Sequence, residues 1–148
     1  MRSNTLRSHG SVARTLHWLT AFVIIANVGL GLVANRLPAE AMEAKIRIFS
    51  LHKTLGIAAF AVALIRILWA LSQPRPTVLH PERRLETLVA QTAHWVLYAA
   101  MLLVPLTGWI EHAATEGFAP ILWPLGQGLP LIPKSGHLAE ILAGLHRT

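Results

Sequence analysis

Three histidines hold matched places in three long apolar runs: His17 in TLHWLTAFVIIANVGLGLVAN, His52 in FSLHKTLGIAAFAVALIRILWAL and His94 in LVAQTAHWVLYAAMLLVPLTGWI. An ionisable side chain inside hydrocarbon is costly and marks a functional position. Neutral imidazole carries a nitrogen lone pair. The chemistry on offer is therefore ligation of a metal, haem iron included, or movement of a proton. Each histidine lies one to two turns inside the start of its run. Consecutive spans cross a bilayer in opposite directions, so His17 and His94 are expected near one face and His52 near the other.

A second marked residue follows each histidine by 14 positions: Gly31 after His17, Arg66 after His52 and Gly108 after His94. On an α-helix 14 residues rise ~21 Å and return to within ~40° of the starting face. Each run thus offers a ligand near one face and a glycine or an arginine near the other, on one stripe. Two flat cofactors stacked across a bilayer need this arrangement. Arg14, one turn before His17, and Lys53, beside His52, suit a carboxylate at the cofactor edge. Plainer roles compete: Gly29, Gly31 and Gly56 suit close helix packing, and Arg66 can snorkel to the interface. Trp18, Trp69, Trp95 and Trp109 read as interfacial anchors. His9, His80 and His112 fall in tails or loops and are expected to be solvated.

Composition states what must hold these residues. Hydrophobic residues make up 53% and charged residues 14%, with mean hydropathy +0.49. A soluble domain carries about 25% charge, so the balance is that of an integral membrane protein, all-α and a single domain over 1–148. Residues 87–110 contain no charged side chain, which exceeds the ~20 residues needed to cross hydrocarbon. Spans are expected at 12–37, 46–71 and 86–112, with a further helix starting near 135. Pro38 ends the first span, and Pro105 is expected to kink the third. The stretch 113–136, with four prolines and four glycines, is expected to lie at the interface or to cap a buried site. The absence of cysteine excludes disulfides, iron–sulfur clusters and covalently attached haem. The net charge of +6 does not point to nucleic acid, because the basic residues flank the spans. Seven of them (Arg2, Arg7, Arg14, Arg66, Arg75, Arg83, Arg84) fall on the N-terminal side and five (Arg36, Lys45, Arg47, Lys53, Lys134) on the other. That bias favours a cytoplasmic N-terminus. The first run is longer than a signal-peptide core and ends in NRLP rather than a cleavage site.

The segments ARTLHWLTA, SLHKTLGIAAFAVALIRILW and AHWVLYAAMLLVPLTGW, in that order, resemble the bacterial cytochrome b561 family. That family is related to the membrane cytochrome b subunits of formate dehydrogenases and nickel hydrogenases, and the similarity covers nearly the whole chain. The resemblance implies a four-helix bundle in the bacterial inner membrane holding two b-type haems, each on two histidines. It implies electron transfer between the quinone pool and a partner or a small oxidant such as superoxide. His17 then resembles the first-helix ligand of the inner haem and His52 the second-helix ligand of the outer haem. His146, in LAEILAGLH, stands where the fourth helix closes the outer haem, with His137 as its rival. His94 matches a recurring third-helix histidine that is not the usual axial ligand, although its depth would let it substitute. The family's second fourth-helix ligand would fall beyond Thr148. The sequence therefore reads as three spans and the start of a fourth, and one firmly held haem b is expected rather than two. Two other readings stay open. One is a haem-free membrane protein that binds a metal or relays protons. The other is a membrane anchor for a dehydrogenase or hydrogenase subunit.

Overall fold

The computed structural model describes residues 1–6, 8–74, 77, 82–115, 117–129 and 131–147. Arg7, Arg75 and His80 lie outside the described residues. The architecture is an all-helical membrane bundle, without strands among the described residues. Its elements are α1 (Ser11–Arg36), a 3-10 turn (Ala39–Ala41), α2 (Met42–Ser72), α3 (Arg84–Ala114) and α4 (Gly136–Arg147). α1 packs on α2, α2 on α3 and α3 on α4.

The three long helices fall where hydropathy puts the spans, and the differences at their ends have local causes. α1 stops because Leu37 precedes a proline and takes an extended conformation, with ψ 135°. α2 begins at Met42 rather than near 46, because MEAKIR is built from good helix formers and contains no breaker. α3 runs through Pro105 and on to Ala114, as neighbouring groups in a bundle allow. At most 11% of the most apolar window of any span is buried within the protein. Phe22, Ile25, Leu68 and Leu97 point outward. Water would not tolerate such continuous apolar flanks, whereas lipid does. The residues that are buried between helices are small: Thr20, Ala34, Ser50, Ala59 and Ala63. Helices joined through small residues approach closely, and packing holds them where no hydrophobic driving force operates between helices.

Both ends of the bundle are covered. On the N-terminal face the leading segment is fastened to the α2–α3 connection. The amide of Asn4 donates to Oε1 of Gln73 at 3.1 Å, and that of Thr77 to the carbonyl of Leu6 at 2.9 Å. On the far face the α3–α4 connection folds back on the helices, as its apolar residues suggest. Leu122 donates from its amide to Oγ1 of Thr54 at 2.8 Å. Ala119 and Ile121 are buried.

Candidate functional site

On the far face, α2 and α4 bring His52 and His146 together. Their ring centres are 5.9 Å apart and their planes cross at 74°. Nδ1 of His52 lies 3.0 Å from the carbonyl oxygen of Asn27, and Nδ1 of His146 lies 2.9 Å from that of Val104. A carbonyl only accepts, so each Nδ1 carries the proton and each Nε2 keeps a bare lone pair. This is the arrangement by which metal-ligating histidines are oriented and made more basic. The other two helices supply matching parts. On α1 the orienting carbonyl is at Asn27, with Gly31 four residues later. On α3 it is at Val104, with Gly108 four residues later. A methyl at Gly31 would stand 3.0 Å from Cε1 of His52, and one at Gly108 would stand 2.8 Å from Cε1 of His146. Only glycine leaves each ring its place.

The arrangement suits one metal between two imidazoles. Among the described residues no group of three or more His, Cys, Asp or Glu converges on one point. A metal held by protein alone would lack ligands here, whereas haem iron needs only axial ones from the protein. Beside His52, Oδ1 of Asn27 is buried and has no hydrogen-bond partner.

On the N-terminal face, His17 and His94 line one cavity of about 770 Å³ with Arg14, Arg66, Trp69 and Arg83. Its size falls in the range of small-molecule and cofactor sites, about 300–1,000 Å³. A guanidinium nitrogen of Arg66 lies 3.0 Å from Nδ1 of His17. Arginine only donates, so the proton of neutral His17 sits on Nε2, the reverse of the far-face pair. His94 bonds from Nδ1 to its own helix, 2.7 Å from the carbonyl of Ala90, and keeps Nε2 bare. Arg66 also stands 5.7 Å from the ring centre of Tyr98. Arg66 is thus held by contacts on both α1 and α3. Nε1 of Trp69, on the same cavity, is buried without a partner.

The 14-residue stripe thus places its residues level in pairs: Gly31 against His52, Gly108 against His146 and Arg66 against His17. One expectation needs correction. His112 is not solvated: it is 4% exposed, in the last turn of α3. The cause is that α3 extends to Ala114 and carries His112 one turn past Gly108 on the same inward face. Lys53, expected to suit a carboxylate at the cofactor edge, has partners within the protein. Its ammonium donates to Nδ1 of His112 at 3.1 Å and to the carbonyl of Ala119 at 3.0 Å. His137 is exposed in the first turn of α4, and it is His146 that the structure brings to His52. Trp109 packs against Phe60 and Trp123 with its Nε1 buried. Gly29 has nothing within 4 Å of where a side chain would be, and Gly56 abuts Asn27.

Paired imidazoles with carbonyl-fixed tautomers, set among apolar spans, are what a membrane cytochrome of the b type requires. The chain belongs to the prokaryotic cytochrome b561 family, whose model matches residues 8–148. It is similar to cytochrome b561 homolog 2 of Escherichia coli (strain K12), with 28% identity over 118 residues, 76% of this chain and 59% of that protein. The chain spans about three-fifths of the length of that relative.

Proposed function

We propose that the protein is a one-electron carrier of the bacterial inner membrane, in which His52 and His146 would hold one haem b. The observation that carries this reading is the ring pair itself: two imidazoles 5.9 Å apart, each with Nδ1 on a carbonyl. Haem supplies the one-electron chemistry of its iron. The chain supplies the rest. The carbonyls of Asn27 and Val104 fix the orientation and tautomer of both rings. Gly31 and Gly108 leave flat walls, and the apolar spans keep the site in a low dielectric.

A second haem site, at His17 on the N-terminal face, would need that ring to release Arg66, freeing the guanidinium for a carboxylate alongside Arg14. His94, on the same cavity with Nε2 bare, is the other imidazole available there. The far-face site, already assembled, is expected to fill first and hold its haem more firmly. The electrons would pass between the quinone pool and a protein partner or a small oxidant such as superoxide. The absence of a three-ligand cluster among the described residues counts against a haem-free metal site. Binding to a dehydrogenase or hydrogenase subunit would appear as co-purification of that subunit.

The test is optical and magnetic. The chain purified from membranes should show sharp reduced bands of bis-imidazole haem and a low-spin ferric resonance. A colourless protein, or a high-spin one, rules the reading out. The orientation is tested separately. The excess of basic residues on the N-terminal face predicts that a reporter fused at Gln73 reads cytoplasmic and one at Phe118 periplasmic. The opposite pair of signals would invert the topology.

A further inference from the structure

Above the far-face ring pair lies a polar cluster that the ligand reading does not use, and its hydrogen bonds admit only one assignment. Gln127 is gripped at both ends by the backbone of Ile121. The amide of Ile121 donates to Oε1 at 2.6 Å, and Nε2 donates to the carbonyl of Ile121 at 2.9 Å. This fixes which end of Gln127 is oxygen. Oε1 lies 3.3 Å from Nε2 of His112, so Nε2 must donate. Nδ1 of neutral His112 is then the acceptor, and it receives the ammonium of Lys53 at 3.1 Å. A second N–H of that ammonium goes to the carbonyl of Ala119 at 3.0 Å. Both partners are neutral. Glu111 acts on Lys53 only at longer range, and among the described residues no carboxylate forms an ion pair with it.

The place of this charge is set by the helices. Lys53 follows His52 directly. His112 lies four residues past Gly108, about 6 Å farther along α3 and on the same face, while Gly108 abuts His146. The partly buried ammonium of Lys53 is therefore held about one turn outward of the ring pair, between His112 of α3 and the carbonyl of Ala119, in a connection whose Leu122 is tied to Thr54 of α2. Reduction of a haem iron from ferric to ferrous adds one electron and neither makes nor breaks a bond. A fixed positive charge nearby opposes the more positive ferric state, and more strongly where the dielectric is low.

We propose that Lys53, mounted by His112 and Gln127, is a positioning residue that holds the reduction potential of the far-face haem up. The proposal rests on ligation by His52 and His146. The test is a potentiometric titration of the haem-loaded, full-length chain in lipid nanodiscs, following the haem that His52→Ala removes. Lys53→Met is expected to shift the oxidised-to-reduced ratio about tenfold toward oxidised, a fall of about 59 mV for a one-electron couple. Lys53→Arg, which keeps the charge, should stay near the wild-type potential. His112→Ala should lower it by a smaller step and add nothing in the Lys53→Met background, as residues acting through one contact do. The low-spin spectrum should be unchanged throughout. If Lys53→Met fails to retain haem, His112→Ala and Gln127→Leu carry the test, and both must lower the potential. An unmoved potential in a haem-retaining Lys53→Met overturns the proposal. So does an equal fall in Lys53→Met and Lys53→Arg, which would mean packing rather than charge. Haem that survives His52→Ala removes the ligation reading, and the proposal with it.

Discussion

His52→Ala and His146→Ala are each expected to strip the far-face haem from the protein while leaving the helical content unchanged. Loss of an outer partner of a ligating histidine typically costs 10–100-fold in metal affinity. Loss of the ligand itself should exceed that, so haem per protein should fall by more than about tenfold. The helices should survive, because α1, α2 and α3 insert on hydropathy and pack through small residues. His137→Ala is the internal control. His137 is exposed at the start of α4, so its loss should leave haem content at the wild-type level. His94→Ala should also spare the far-face haem, since His94 lines the cavity at the other face. Haem content per protein, measured by pyridine haemochrome on purified material, decides among these. Wild-type haem in His52→Ala would exclude the assignment. A loss in His137→Ala equal to that in His146→Ala would return His137 to contention.

The sequence showed depth better than direction. Hydropathy located the spans, and the 14-residue interval placed His52 level with Gly31 and Arg66 level with His17, because rise per residue is the same in every α-helix. It could not say which groups would meet across that level. The interval puts Arg66 near the face of His17, and only the structure shows that its guanidinium lies on Nδ1 of that ring. The carbonyls of Asn27 and Val104, which fix the ring tautomers, have no sequence signal, because every residue carries a carbonyl. His112 illustrates a boundary error with consequences. Placing the end of α3 at 112 rather than at Ala114 made a buried helical residue look like a loop residue. Its spacing of four from Gly108 was the available clue. Gln127 was out of reach, because its role depends on a fold of the α3–α4 connection that no periodicity describes.

The glycines separate a wall for the ring from a mere packing contact, and they do so with opposed signs. Replacing glycine by alanine within a helix favours the helix by about 0.8–1.0 kcal/mol. Gly29→Ala should show that gain alone, because nothing lies within 4 Å of the added methyl. Gly31→Ala and Gly108→Ala gain the same helix term, but their methyls would stand 3.0 Å and 2.8 Å from the imidazoles of His52 and His146. An imidazole is rigid, and its Nδ1 is tied to a carbonyl, so the ring cannot yield without losing that bond. Overpacking of this kind costs typically 1–3 kcal/mol, and a cost of 1–3 kcal/mol falling on the ligating geometry corresponds to about 5–150-fold in affinity. Haem affinity is therefore expected to fall in Gly31→Ala and further in Gly108→Ala, and to hold in Gly29→Ala. Gly29→Ala apoprotein should resist thermal unfolding slightly better than wild type, whereas in Gly31→Ala and Gly108→Ala the overpacking offsets or outweighs the helix gain. Haem titration of the apoprotein, paired with its melting temperature, reads both signs. If Gly108→Ala binds haem as tightly as Gly29→Ala, the ring of His146 is free to move, and its position beside His52 is not what holds the cofactor.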